Sequence, residues 1–217
     1  MENITELETE EELLSFIHNY CDFGLNRVYI LSAMARPKEN DGITHNTLPM
    51  FREIIANKSN INKKYNKIKY LIKEHKDRKN EDLKFRFYIT TNARDVDKSI
   101  YLYQGKILEM NRNIKNGHKE TKKKIKRIDK EWKSTLQQQG NNDDSYFIID
   151  LDNISKDKFK YITKMLQKET EIIESIRTPN GFHIITESFE YPKYDFIEDE
   201  DIEVKTDGLM FLQLSNI

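Results

Sequence analysis

The stretch Ser145-Tyr-Phe-Ile-Ile-Asp-Leu-Asp-Asn153 decides the interpretation of the chain, because an apolar run of strand length ends in two carboxylates. Side chains alternate faces along an extended strand, so Asp150 and Asp152 are expected on one face, about 7 Å apart along the strand. Such a pair favours a shared cation, most often Mg²⁺ or Mn²⁺ beside a substrate phosphate. The alternative is that one aspartate caps the following helix while the other is solvated.

The segments that follow predict a ferredoxin-like or RNA-recognition-like palm, an antiparallel-rich sheet backed by helices. The expected elements are a helix from Lys156 to Gln167 and strands at Glu171 to Ile176, Phe182 to Thr186, Ile202 to Lys205 and Leu209 to Leu214. Pro179-Asn180-Gly181 has strong turn chemistry, so the second and third strands are expected to form a hairpin. This hairpin brings His183 beside the strand that carries the two aspartates.

An α+β fold is expected, with residues 1–140 as an N-terminal α/β module, residues 141–217 as the palm-like unit, and both in one compact body. The expected N-terminal elements are helices at Glu10 to Tyr20, Phe51 to Asn80, Val96 to Ile114 and His118 to Gln139, and strands at Arg27 to Met34 and Lys84 to Thr91. Arg36 and Lys38 follow the first strand, and Arg94 precedes a helix. These positions suit phosphate binding, although surface loops also carry such residues.

The composition restricts the classes of protein to consider. The chain has 217 residues, 37% hydrophobic and 34% charged, which permits one domain or a core with a helical appendage. A single cysteine, Cys21, argues against a disulfide framework and a cysteine-based zinc site. No apolar stretch approaches the ~20 residues that span a bilayer, and the N-terminus is unlike a signal peptide, so a cytoplasmic protein is expected.

The charges are segregated along the chain. Residues 110–133 contain ten lysines and arginines against three acids, whereas residues 187–207 contain nine acids against two lysines. The basic run predicts a surface that meets anions such as single-stranded nucleic acid, or a solvated helix face.

Three motifs resemble those of the archaeo-eukaryotic primase superfamily, particularly its short phage and plasmid primase-polymerases. They are Ile-Ile-Asp-Leu-Asp (148–152), Arg-Thr-Pro-Asn-Gly-Phe-His-Ile-Ile (177–185) and Ile-Glu-Val-Lys-Thr-Asp-Gly-Leu-Met-Phe-Leu (202–212). The resemblance implies a palm that binds two divalent ions and a nucleoside triphosphate. It also implies templated nucleotidyl transfer on single-stranded DNA or RNA.

The resemblance assigns roles to individual residues. Asp150 and Asp152 would bind the metal ions, and His183 would contact the triphosphate. The third acid of the family matches Glu203, with Asp207 as the alternative. The serine that the family often has two residues before its histidine is a glycine in this chain.

Four cations are candidates for further phosphate contacts. Arg177, in the turn before the histidine, would add a second donor to the nucleotide. Arg36, Lys38 and Arg94 are compatible with the N-terminal module of the family.

Two other functions remain open at this point. Asp195, Glu203 and Lys205 imitate the Asp then Glu-x-Lys arrangement of metal-dependent nucleases, in which two acids bind one metal and the lysine activates water. A catalytically silent palm would instead bind nucleotides or nucleic acid as a replication accessory or as an inhibitor of a host protein. The resemblance suggests a replicative helicase or another replication protein as partner, in a host-cell cytoplasm if a phage encodes the chain.

Overall fold

Two antiparallel sheets and six α-helices make up the described part of the chain, residues 4–44, 47–191 and 199–215 of a computed structural model. The strands are β1 (Arg27–Met34), β2 (Met50–Ile55), β3 (Phe85–Thr90), β4 (Arg94–Asp95), β5 (Phe147–Asp152), β6 (Ile172–Thr178), β7 (Gly181–Thr186), β8 (Ile202–Lys205) and β9 (Leu209–Ser215). The helices are α1 (Glu10–Tyr20), α2 (Ile61–Lys79), α3 (Val96–Lys115), α4 (Lys119–Ile125), α5 (Ile128–Leu136) and α6 (Lys156–Leu166). The predicted α+β class is therefore confirmed.

The first sheet has the order β2-β1-β3-β9, with β4 also paired to β1. Its central strands are almost entirely buried, in keeping with their content of β-branched and aromatic residues. Helices α1 and α2 add apolar stripes at helical spacing to this core, and Leu13, Ile17, Tyr65, Ile68 and Ile72 are at most 2% exposed. Among the described residues, no helix is both long and apolar enough to cross a membrane.

The second sheet has the order β6-β7-β5-β8, the strand order of a ferredoxin-like palm, and all its neighbours are antiparallel. Its β5-α6-β6-β7 part follows the predicted order, and Ser155 caps α6 by accepting a hydrogen bond from the Lys158 amide. The connection from β7 to β8 includes residues 192–198, which lie outside the described residues.

A two-residue turn at Pro179 and Asn180 joins β6 to β7 and fixes the register of the palm. Gly181, the first residue of β7, pairs with Asp152, and a Cβ at this glycine would lie 1.8 Å from the Leu151 carbonyl oxygen. The position therefore demands glycine, because any side chain would push β7 away from β5.

Three sequence expectations are wrong, each for a physical reason. The predicted helix from Phe51 to Asn80 begins only at Ile61, because the β-branched end of β2 pairs with β1. The predicted helix from His118 to Gln139 is divided into α4 and α5 at Arg127, beside a run of lysines in which like charges four residues apart repel each other. Strand β9 pairs with β3 rather than completing the palm sheet, so the C-terminal segment contributes to both sheets.

Candidate functional site

A cavity of about 500 Å³ is lined by residues of both sheets. From the second sheet and its hairpin come Asp150, Asp152, Thr178, Asn180, His183, Glu203 and Lys205. From the first sheet and the loop after β1 come Met34, Arg36, Lys38, Leu48, Arg86, Tyr88, Leu209 and Phe211. The charged side chains of this lining are four cations and three carboxylates. Such a lining suits a ligand that carries charged and polar groups.

Strand alternation explains why the acids converge. Ile149 and Leu151 point toward α6 and form the core of the palm, so Asp150 and Asp152 point the other way, toward the cavity. In β8, Ile202 is likewise buried against the palm core, and its neighbour Glu203 lines the cavity.

His183 shares this face of the sheet with the acids. It pairs directly with Asp150 in the register of β5 and β7, and its Nε2 lies 3.3 Å from Asp150 Oδ1. Its neighbours Phe182 and Ile184 are buried on the opposite face with the palm core. The sequence-predicted histidine therefore stands beside the predicted acids.

The other nitrogen of His183 is fixed by the first sheet. The backbone N–H of Phe211 donates to His183 Nδ1 at 3.2 Å, beside a register shift between β3 and β9. Such irregularities release backbone groups from the ladder and redirect them. Since Nδ1 accepts this hydrogen, the neutral ring carries its proton on Nε2, which faces Asp150.

Lys205 lies between two of the carboxylates. Its Nζ is 2.6 Å from Asp150 Oδ2 and 2.9 Å from Glu203 Oε2. Burial alone would lower the pKa of Lys205, but its hydrogen bonds to both acids outweigh that effect and raise this pKa above its ordinary value. Burial would likewise raise the pKa of Asp150, but contacts with His183 and Lys205 hold that pKa well below its usual range.

The first sheet supplies the cations that face these acids. Arg36 donates to the Tyr88 hydroxyl at 3.2 Å and, like Lys38, lies in the loop after β1. Arg86 is 6% exposed and pairs with Glu39, and its Nε is buried with no hydrogen-bond partner in the part of the chain that the structure describes. The charge of Arg86 is therefore already balanced by Glu39.

Arg86, Tyr88 and Phe211 also line the cavity, although the sequence motifs did not single them out. A signal was present in β3, because Phe85 and Phe87 belong to the core of the first sheet while Arg86 and Tyr88 alternate with them. A polar residue at every second position of a strand indicates a second face with its own role. The same pattern in β9 was hidden because both of its faces carry apolar residues.

Arg94 and Asp207 do not line the cavity, in contrast to their predicted roles. Arg94 is 1% exposed, and its guanidinium binds both oxygens of Asp207 at 2.7 and 2.8 Å. Asn92 also donates to Asp207, at 3.2 Å. The two side chains pair with each other and are almost fully buried, so Glu203 rather than Asp207 is the third acid at the cavity.

Arg177 also lies away from the cavity. It pairs in register with Phe182, and its guanidinium lies 4.5 Å from the centre of that ring, on the opposite face from His183. The predicted nuclease residue Asp195 lies outside the described residues.

The carboxylates suit a divalent cation chemically, but their arrangement does not match a preformed two-ion centre. Hard cations such as Mg²⁺ take several oxygen ligands at short distance. Within the described ranges, no three histidine, cysteine or acidic side chains are grouped closely enough to hold a metal ion. The ammonium of Lys205 takes the position between Asp150 and Glu203 instead.

No protein-family model matches this chain, and neither the curated proteins nor the solved structures include a significant match.

Proposed function

We propose that this protein is a nucleotidyltransferase of the primase-polymerase type, which adds nucleotides to a strand on a single-stranded DNA or RNA template. The observation that carries the proposal is the shared cavity, in which Asp150, Asp152, Glu203 and His183 face a cationic wall from the other sheet. The primase-like motifs of the sequence assign the same four residues to the catalytic centre. The proposed cofactor is Mg²⁺ or Mn²⁺, and the substrates are nucleoside triphosphates.

The cationic wall suits the triphosphate of an incoming nucleotide. Arginine binds phosphate oxygens with two parallel hydrogen bonds, and lysine adds a point charge. Arg36 and Lys38 would therefore hold the phosphates, while Arg86, which lines the same cavity, is paired with Glu39. A cavity of about 500 Å³ is within the range of small-molecule and cofactor sites.

The acidic wall suits the reacting end. In the transfer, the 3′ hydroxyl of the strand loses its proton to solvent and its oxygen bonds to the α-phosphorus. The bond between the α-phosphorus and the bridging oxygen breaks, and pyrophosphate leaves with that oxygen. Such reactions depend mainly on positioning and on charge stabilisation. In this proposal His183 is a positioning residue, because its Nε2 faces Asp150 while the Phe211 amide fixes its ring.

The decisive experiment is a primer-synthesis and primer-extension assay with labelled nucleotides, a single-stranded template and Mn²⁺. We expect products that are longer than the primer, require divalent ions and disappear in Asp150→Asn and Asp152→Asn. Asp157→Asn, an exposed aspartate in the first turn of α6, is the matched control and should retain activity. Nucleotide binding without any product would overturn the enzymatic proposal in favour of a binding module, either a replication accessory that acts with a helicase or an inhibitor.

A metal-dependent nuclease is the second candidate, because of the position of Lys205. Its ammonium contacts Asp150 and Glu203, so Asp150 stands where the nuclease interpretation expected Asp195. The same reactions should be examined for template degradation. Degradation that is lost in Lys205→Met, with no strand extension in the wild type, would replace the polymerase proposal with this one.

A further inference from the structure

Lys205 partly balances the charge of two acids in the cavity, Asp150 and Glu203. Asp150 and Glu203 are direct partners in the register of β5 and β8, and Lys205 lies two residues further along β8 on the same face. The lysine side chain reaches back to both acids and contacts one oxygen of each. The ammonium of Lys205 thus occupies the position in which a divalent ion would bridge Asp150 and Glu203.

The neighbourhood of Asp150 makes this arrangement restrictive. Oδ2 of Asp150 contacts Lys205, and Oδ1 faces His183 Nε2, so both oxygens are already engaged. Glu203 is more open, with 68% of its side chain exposed. A divalent ion that bridged Asp150 and Glu203 would have to displace the ammonium from both carboxylates.

We propose that Lys205 is an internal counter-cation that excludes a divalent ion from the Asp150–Glu203 pair. The site therefore takes fewer divalent ions than its three carboxylates would otherwise bind. This inference deepens the proposed function, because it names the residue that limits metal binding at the same cavity. It rests on the positions of the side chains and not on any change in their protonation.

The test is a titration of the protein with Mn²⁺ alone, in which electron paramagnetic resonance measures the free ion. No nucleotide or template is present. Lys205→Met keeps most of the length of the side chain and removes its charge. We expect this variant to bind Mn²⁺ at least about tenfold more tightly than the wild type, or to bind one more ion, because a unit charge within 4–6 Å shifts such equilibria by about one to three powers of ten.

Lys38→Met is the matched control, since Lys38 lines the same cavity on the other wall. It should raise Mn²⁺ affinity much less, because it changes the general charge of the cavity without opening the acid pair. Equal gains in both variants, or no gain in Lys205→Met, would overturn the proposal. The double variant Glu203→Gln/Lys205→Met should lose the gain, and a retained gain would also overturn it.

A second readout covers the case in which removal of Lys205 destabilises the fold. Asp150 would then keep His183 but lose its ammonium partner, so the melting temperature of Lys205→Met should fall without metal and rise with Mn²⁺ more than that of the wild type. An equal rise in both proteins would contradict the proposal. Because neither readout uses catalysis, a negative primer-extension assay would refute the proposed function and leave these results interpretable.

Discussion

Two clusters of carboxylates and lysines differ in a way that separates structural charges from candidate functional ones. The Glu53 cluster joins one glutamate to Lys64, Lys67 and Lys133 at 2.8 to 3.2 Å. The cavity cluster consists of Asp150, His183, Glu203 and Lys205. Both contain buried or half-buried acids, but they have opposite excess charge and different access to solvent.

The acid of the Glu53 cluster is enclosed by lysines, although Glu53, Lys67 and Lys133 also line a second cavity, of about 360 Å³. The Glu53 side chain is 3% exposed, and both of its oxygens are bound by lysines. Burial would raise the pKa of Glu53, but the lysines outweigh it and lower the pKa to about 2. Both oxygens of this carboxylate are therefore occupied by contacts within the protein.

The cavity cluster is open and incompletely balanced. Lys205 contacts two acids, and a third, Asp152, lines the same cavity. The cations of the first sheet line the other wall of this cavity. Three carboxylates on one wall of a cavity repel each other and are retained at a cost to stability, which is compatible with a ligand at this wall. The contrast shows that the degree of mutual satisfaction, rather than the number of charges, marks the candidate site.

The largest expected effect on stability comes from a third pair, Arg94 and Asp207, which extends the contrast to an almost fully buried ion pair. Asp207→Asn should lower the free energy of unfolding by about 3–5 kcal/mol, because the side chain of its partner Arg94 is 2% exposed and would be left charged without a counter-ion. Chemical denaturation measures this loss. If the variant were as stable as the wild type while nucleotide binding was lost, Asp207 would belong with the cavity residues.

Asp150→Asn should give the largest effect on function. If the cavity is catalytic, nucleotidyl transfer should fall by about 100-fold or more, because Asp150 holds both His183 and Lys205 and a misplacement of about 1 Å at a reacting centre costs about that much. Single-turnover primer extension measures this loss, and chemical denaturation checks the fold. A variant that kept its activity would remove the functional distinction between the two clusters.

Glu53→Gln should affect stability and leave nucleotide binding unchanged. The loss should be about 1–3 kcal/mol at pH 7, because the three lysines remain partly exposed and can be hydrated. Since folding lowers the pKa of Glu53 from 4.5 to about 2, its stabilisation is present above pH 4.5 and is lost as the pH falls toward 2.

Denaturation curves between pH 7 and pH 2 test this expectation. The difference in unfolding free energy between wild type and Glu53→Gln should shrink steadily below pH 4.5. A difference that stayed constant with pH would show that the Glu53 charge is not responsible.

The smallest effect of each single charge on binding affinity is expected from the basic surface formed by α4 and the residues just after it. Reversing four charges should weaken binding to single-stranded DNA, because released counter-ions drive such binding. The slope of log binding constant against log salt concentration should become shallower by about 0.7 for each phosphate that the protein no longer neutralises. The four residues are Lys122, Lys123, Lys124 and Arg127, all exposed. A matched reversal on α2 uses the exposed Lys63, Lys73, Arg78 and Lys79.

Fluorescence anisotropy at several salt concentrations compares these two variants. The α4 variant should show a larger fall in affinity and in salt dependence than the α2 variant. Equal falls in both would assign the α4 cations to an ordinary solvated face.

The acid wall of the cavity was predictable from sequence because it depends on local rules. Asp150, His183 and Glu203 each follow or alternate with apolar residues in a strand, and the Pro-Asn-Gly turn fixes the hairpin of β6 and β7, which carries His183. Period-two alternation and turn chemistry act over a few residues, so a single sequence carries them. This alternation places Asp150, His183 and Glu203 on the same face of the second sheet.

Arg36 and Lys38 were predicted at the cavity, but Arg86 and the ion pairs were harder to predict, because they depend on contacts between distant segments. Arg94 and Asp207 are 113 residues apart, and only the pairing of β3 with β9 brings their segments together. The sequence indicates Lys205 only as part of a nuclease motif, since its partner Asp150 lies on another strand. Such partners follow from sheet topology, which local patterns do not determine.

The most direct test of the proposed nucleotide site is a crystal structure of the protein with Mn²⁺ and a non-hydrolysable nucleoside triphosphate. We expect the triphosphate to lie in the cavity, with phosphate oxygens within hydrogen-bond distance of Arg36 or Lys38 and the α-phosphate toward Asp150 and Asp152. A nucleotide bound elsewhere on the molecule, with the cavity unchanged, would contradict the proposal that the two walls form one nucleotide site.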